Sequence, residues 1–138
     1  MYYTLLADKF VGMRIVIILP TYNEKENIRP MLDVLTKIAH QNRKDLYKVL
    51  VVDDNSADGT GDLVREYIRK NKNIILLSGE KKGLGIAMIR GYRYAIQKLK
   101  ADIVVSNESD FAFDPKHIPF MVEKVKGGWD VVVGSRHV

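Results

Sequence analysis

Residues 14–35 read RIVIILPTYNEKENIRPMLDVL, and the change of period inside this stretch decides the fold. From Ile15 to Leu19 every residue is apolar and most are β-branched, without the alternation of a strand that faces water on one side. Such a run marks a strand buried on both faces. A polar turn follows at Pro20–Glu24. Apolar residues then recur at Ile28, Leu32, Leu35 and Ile38/Ala39, the spacing of one helix face. Asn23–Glu26 (NEKE) has the form of a capping box, in which Asn23 accepts from the helix amides and Glu26 reaches back. A strand that needs cover on both sides, followed directly by an amphipathic helix, is the building unit of a parallel sheet.

The unit repeats along the chain. Lys48–Val52 (KVLVV) reads as a second strand, and a helix starting at Asp58 or Thr60 carries Leu63, Val64, Tyr67 and Ile68 on one face. Asn73–Leu77 (NIILL) is the third strand. Leu84, Ala87, Met88, Gly91, Tyr92, Ala95 and Leu99 outline a third helix, and Asp102–Val105 (DIVV) a fourth strand. Asp114-Pro115 supplies a cap and a proline at the first helical position, opening a helix to about Lys126. Gly127-Gly128 ends it, and Asp130–Val133 (DVVV) is expected as strand five, with Trp129 anchoring its start. The order βαβαβαβαβ predicts an open, doubly wound α/β fold: a mainly parallel sheet with helices on both faces.

Composition narrows the class. A chain of 138 residues suits one domain, and 46% hydrophobic with 28% charged residues describes a globular protein, not a disordered one. No run approaches the ~18 apolar residues of a membrane span. Without cysteine there is no disulfide, thiolate metal site or cysteine nucleophile, and His40, His117 and His137 show no metal-ligand spacing. A net charge of +5 suits a phosphorylated ligand or an anionic membrane surface as well as nucleic acid. Residues 1–12 lack the positive start and long apolar region of a signal peptide and read as an N-terminal extension to a domain at 13–138.

Ligands of such sheets bind beyond the carboxyl ends of the strands. The polar and glycine-rich clusters fall there: Pro20–Glu24, Asp53–Ser56, Gly79–Gly85, Glu108–Asp110 and Gly134–Arg136. Two carboxylates closing a strand, Asp53 and Asp54, repel each other unless a ligand or a basic group accepts them. Asp58 reads as a cap for the helix that follows. GEKKGLG at 79–85 resembles an anion-binding turn, with Gly83 and Gly85 admitting close approach and Lys81 and Lys82 adding charge. It is neither a Walker A loop nor a dinucleotide fingerprint, since Met88 stands where the last glycine would be. Glu108 and Asp110 are spaced to hold a hard divalent cation whose other oxygens come from a diphosphate and water. Tyr22 at the rim is placed to stack on a planar base. A phospho-receiver domain is excluded, because its acid pair would follow strand one and a lysine strand five.

With these clusters in this order, the chain resembles a family 2 glycosyltransferase of the GT-A fold, in the dolichol-phosphate mannosyltransferase-like or polyprenyl-phosphate group. PTYNE at 20–24, VVDDNSADGT at 51–60, GLGIA at 83–87 and GSR at 134–136 carry the resemblance, which runs through residues 14–136. It implies transfer of a hexose, mannose or glucose, from a nucleotide sugar of the GDP-mannose or UDP-glucose class to a polyprenyl (dolichyl) phosphate, with inversion and with Mg2+ or Mn2+. Carried over by position, Pro20, Tyr22, Glu24 and Asp53 line the base and ribose, and Lys82 and Arg90 lie toward the phosphates. Asp54 and Gly83 complete the donor-binding set. Asp110, with Glu108, is the metal ligand and the catalytic acid pair. An ionised phosphate acceptor is already a nucleophile, so no general base is required.

Two departures bear on this expectation. The family's Asp-x-Asp stands here as Glu108-Ser109-Asp110, whose longer first side chain repositions a metal. The chain also stops at Val138, directly after GSR, where family members continue with acceptor-binding elements, an amphipathic segment and sometimes transmembrane helices. The expectation is a donor half without its acceptor half, completed by a homodimer or a partner chain. The alternative is a truncated, non-catalytic nucleotide-sugar-binding module. The expected location is cytoplasmic, peripheral at the membrane face, with no nucleic-acid partner.

Overall fold

The structure, a computed structural model, describes residues 12–135. The expected extension therefore lies outside the described residues except for Gly12, and so does Arg136 of the GSR motif. Four strands, β1 (Arg14–Thr21), β2 (Leu46–Asp53), β3 (Ile74–Ser78) and β4 (Ile103–Ser106), pair in parallel in the order β3-β2-β1-β4. Thr21 stands opposite Asp53 and Asp53 opposite Ser78, so β1, β2 and β3 end level at one rim.

Alternation along β1 and β2 builds two cores. Ile15, Ile17, Leu19, Val49 and Val51 pack under α1 (Lys25–Gln41), α2 (Thr60–Lys70) and α4 (Ile118–Lys126), where Ile28, Leu32, Leu35, Val64 and Val122 are buried. Val16, Ile18, Leu50 and Val52 face the other way, onto Ala87 and Ala95 of α3 (Leu84–Gln97). That second contact is close. A Cβ on Gly91 would stand 3.0 Å from methyls of both Ile18 and Val52, so a side chain at residue 91 would crowd the contact of α3 with the sheet. The expected doubly wound α/β architecture is present, with helices on both faces.

Local signals fared unevenly. Asp114 accepts from the Lys116 amide at 3.0 Å and Pro115 opens a single 3-10 turn before α4, as its sequence predicts. Strand five does not form among the described residues. Val131 and Val133 are 75% and 81% exposed, and Trp129 is exposed rather than anchored. β-branched residues favour an extended chain, but a strand needs a ladder partner, and none is paired to this segment. Nor is Asn23 the cap of α1. The helix begins at Lys25 after Glu24, and Asn23 takes a left-handed conformation at φ 54°.

Candidate functional site

Asn23 fails as a local cap because the β2–α2 loop does the capping from a distance. The Glu24 amide donates to Thr60 Oγ1 (3.0 Å) and the Lys25 amide to Asp58 Oδ2 (3.0 Å). Asn23 donates its amide to Ser56 Oγ (2.9 Å), while its Oδ1 accepts from the Ala57 amide (3.1 Å). Asp58 also accepts from the Thr60 amide at 2.9 Å, so one carboxylate serves the starts of α1 and α2. The Thr60 hydroxyl, with the amides of Thr60 and Lys25, holds the Asp58 carboxyl below its ordinary range.

The two carboxylates closing β2 point to opposite faces and have separate partners. Asp53 Oδ1 accepts from the hydroxyls of Thr21 (3.1 Å) and Ser56 (2.6 Å), and Oδ2 from the Ser56 amide (3.0 Å). Asp54, nearly buried, accepts from Arg90 Nη2 at 2.6 Å. Arg90 reaches it by crossing Gly79, where a Cβ would stand 2.2 Å from the guanidinium. Here is the basic group that the acid pair needs, supplied by α3 rather than by a ligand. Arg90 Nε is buried without a hydrogen-bond partner.

The loops after β3 and β4 are fixed at their roots and open beyond them. The Gly79 amide donates to the Asp53 carbonyl at 3.0 Å. Lys81 Nζ sits 3.6 Å from the centroid of the Tyr22 ring, and Lys82 pairs with Glu80 at 3.2 Å in solvent. Gly83 precedes the first turn of α3. After β4, buried Ser109 donates to the Pro20 carbonyl at 3.1 Å, and the Asn107 amide donates to the Ile18 carbonyl at 3.1 Å. Burial alternates, leaving Glu108 and Asp110 exposed on either side of Ser109. Asp110 Oδ1 accepts from the Ala112 amide at 2.9 Å, and neither carboxylate joins an ion pair among the described residues.

All four loops thus lie on one rim, tied to each other by these bonds. The predicted residues do not all line one cavity. A rim cleft of about 200 Å³ is walled by Asp53 with Asn55, Ser56, Gly61, Arg65 and Ser78, while Pro20, Tyr22, Glu24, Lys82, Gly83, Glu108 and Asp110 stand outside it. Asp53 is nearly buried, and its Oδ2 lies 3.7 Å from where a Gly61 Cβ would be, an ordinary contact distance. Carrying a single hydrogen bond, Oδ2 retains a lone pair for a ligand N–H. Sequence reading passed over Arg65 and gave Ser56 and Thr60 no bonding role of their own. The polar run DDNSADGT marked the loop, but nothing local distinguished the residues that cross to the neighbouring one.

Oxygen donors such as Glu108 and Asp110 suit a hard divalent ion. No group of three acidic or imidazole side chains gathers among the described residues; an ion held by these two would need further oxygens from ligand or water.

Residues 16–138 match the model of the family described as Glycosyl transferase family 2. The chain is 33% identical over 126 residues to a dolichol-phosphate mannosyltransferase of Pyrococcus furiosus, covering 91% of this chain and 34% of that protein. It is 35% identical over 127 residues to an undecaprenyl-phosphate mannosyltransferase of Micrococcus luteus, covering 91% and 49%. Among solved structures it is similar to a mannosyltransferase of Pyrobaculum calidifontis in complex with GDP-Man and Mn2+, at a TM-score of 0.68 and 28% identity over 81% of this chain and 32% of that one. A mannosyl-3-phosphoglycerate synthase of Rubrobacter xylanophilus, at a TM-score of 0.65 and 20% identity over 82% of this chain and 36% of that one, shares the fold. The chain spans between a third and a half of the length of these curated relatives. With a family match over nearly its whole length, the chain belongs to glycosyl transferase family 2.

Proposed function

We propose that residues 13–138 form the donor-binding unit of a glycosyltransferase that moves a hexose, mannose in the first instance, from a nucleoside-diphosphate sugar to a polyprenyl phosphate with inversion. One observation carries the reading: a rim built by four tied loops leaves Glu108 and Asp110 outside every ion pair among the described residues, in a chain with a surplus of cations. Unpaired acids on a basic protein suit a metal-bridged diphosphate better than a structural role.

In this reading the base and ribose lie against Pro20, Tyr22, Glu24 and Asp53, with the remaining lone pair of Asp53 Oδ2 taking a base N–H. Lys82 has only an exposed partner, Glu80, and is free to exchange it for a phosphate oxygen. Arg90 acts one step back, holding Asp54 and the β3 turn in place. Asp110 and Glu108 would hold Mg2+ or Mn2+, which would supply positive charge beside the departing diphosphate. The acceptor phosphate oxygen attacks C1 from the face opposite the diphosphate; the new C1–O bond forms as the old one breaks, and no side chain removes a proton.

Calorimetry with GDP-mannose and UDP-glucose, with and without Mn2+, tests the reading. Metal-dependent binding of a nucleotide sugar is expected, and absence of binding to both overturns it. The second reading is a binding module without turnover. Binding without transfer to a polyprenyl phosphate selects it. A homodimer or a partner chain supplying acceptor elements belongs to the first reading, as does a peripheral position at a membrane. No helix among the described residues is long and apolar enough to cross one.

A further inference from the structure

The outward side of α3 departs from an ordinary solvated helix face. Ile86, Ile89 and Ile96 are 48%, 48% and 56% exposed, and with Arg93 they follow helical spacing along one stripe. Beside the stripe a groove of about 450 Å³ runs between α3 and β3, lined by Leu77, Ile86, Ile89, Arg93, Gln97 and Lys98. Charge along this segment has one sign, between Glu80 and Asp102 that flank it. Residues 81–101 contain Lys81, Lys82, Arg90, Arg93, Lys98 and Lys100 and no aspartate or glutamate. Of these six cations only Lys82 and Arg90 meet carboxylates among the described residues.

We propose that this face of α3 rests on an anionic lipid surface. The isoleucines enter the boundary between headgroups and acyl chains, while Arg93, Lys98 and Lys100 meet lipid phosphates at headgroup level. A basic apolar stripe with no acid in it is complementary to such a surface. It is a poor match for a second copy, because a two-fold contact would set the same cations against each other. The inference deepens the lipid-phosphate reading above by naming the face that meets the membrane. α3 starts at the rim that carries the candidate site, so a bilayer along this face brings lipid phosphates near that rim.

The test is co-sedimentation of the 138-residue chain with phosphatidylcholine vesicles, with and without phosphatidylglycerol. Binding should require the anionic lipid and weaken as salt rises. The Ile86→Ser/Ile89→Ser double variant and, separately, Arg93→Glu should each lower the partition about tenfold, with thermal unfolding and GDP-mannose binding unchanged. Failure to bind anionic vesicles overturns the proposal, as does binding indifferent to these substitutions. A stable dimer that Ile89→Ser dissociates overturns it too, in favour of a second copy. Nucleotide binding by calorimetry reads the donor site separately, so loss of one proposal is distinguishable from loss of the other.

Discussion

The loops that follow β1 and β2 hold each other, whereas those that follow β3 and β4 are pinned at their roots and present free charge beyond. In the first pair, Ser56, Asp58 and Thr60 accept from the neighbouring loop, Asp53 accepts from Thr21 and from Ser56 of its own loop, and Asp54 is paired with Arg90. In the second, Lys82, Glu108 and Asp110 stand in solvent with at most an exposed partner or one backbone amide. The same rim therefore has a part whose polar groups serve folding and a part whose charges are left for something else. A substitution among the bonded polar groups of the first should register as lost stability, with lost base contact besides at Asp53, and one in the second as lost binding alone.

The largest effect expected is from Arg90→Met, which leaves Asp54 nearly buried without its cation. Unfolding in urea should show a loss of about 3 kcal/mol, largely recovered when Asp54→Asn is added. A loss that the second change does not relieve would break the contrast at its strongest point. Asp53→Ala strands the hydroxyls of Thr21 and Ser56 and one amide, and should cost about 2 kcal/mol in the same measurement. On the open side, Asp110→Asn should leave stability within about 0.5 kcal/mol. Its effect belongs in calorimetry, as about a tenfold weaker Mn2+-dependent binding of GDP-mannose, some 1.4 kcal/mol. Should Asp110→Asn cost as much stability as Asp53→Ala, the division of labour is wrong.

The smallest effect concerns pH. Asp58 is held below its ordinary range, so its share of stability is present above the unfolded value near ~4 and is lost as pH falls through the folded one. Wild-type melting temperature should therefore drop more steeply below about pH 4 than that of Asp58→Asn. Parallel profiles would show that the capping carboxylate contributes nothing to the tied pair of loops.

How far the sequence could be read follows the same division. Five-residue apolar runs such as Ile15–Leu19 announced buried strands because burial on both faces is written in adjacent residues. Asp114-Pro115 announced a helix start because cap and proline act locally. Asn23 misled, since its real partners, Ser56 and Ala57, lie in another loop and meet it only after β1 and β2 pair. Asp54 and Arg90, likewise, are joined by the seating of α3 on the sheet and not by any spacing. Asp130–Val133 had the composition of a strand, but composition cannot supply the neighbour that makes one. The carboxylates of Glu108 and Asp110 were legible as a pair, because a two-residue interval survives whatever the tertiary structure does.

Gly91 gives the fold a hidden adjustment. Its bare α-carbon sets the height of α3 over Ile18 and Val52, and the helix carries the Arg90 anchor at mid-length and the turn bearing Lys81 at its head. An added methyl at position 91 would press on Ile18 and Val52, which must give by a few tenths of an ångström or pass the strain to the helix and both its attachments. The seating of both attachments is thus open to adjustment from a position inside the core.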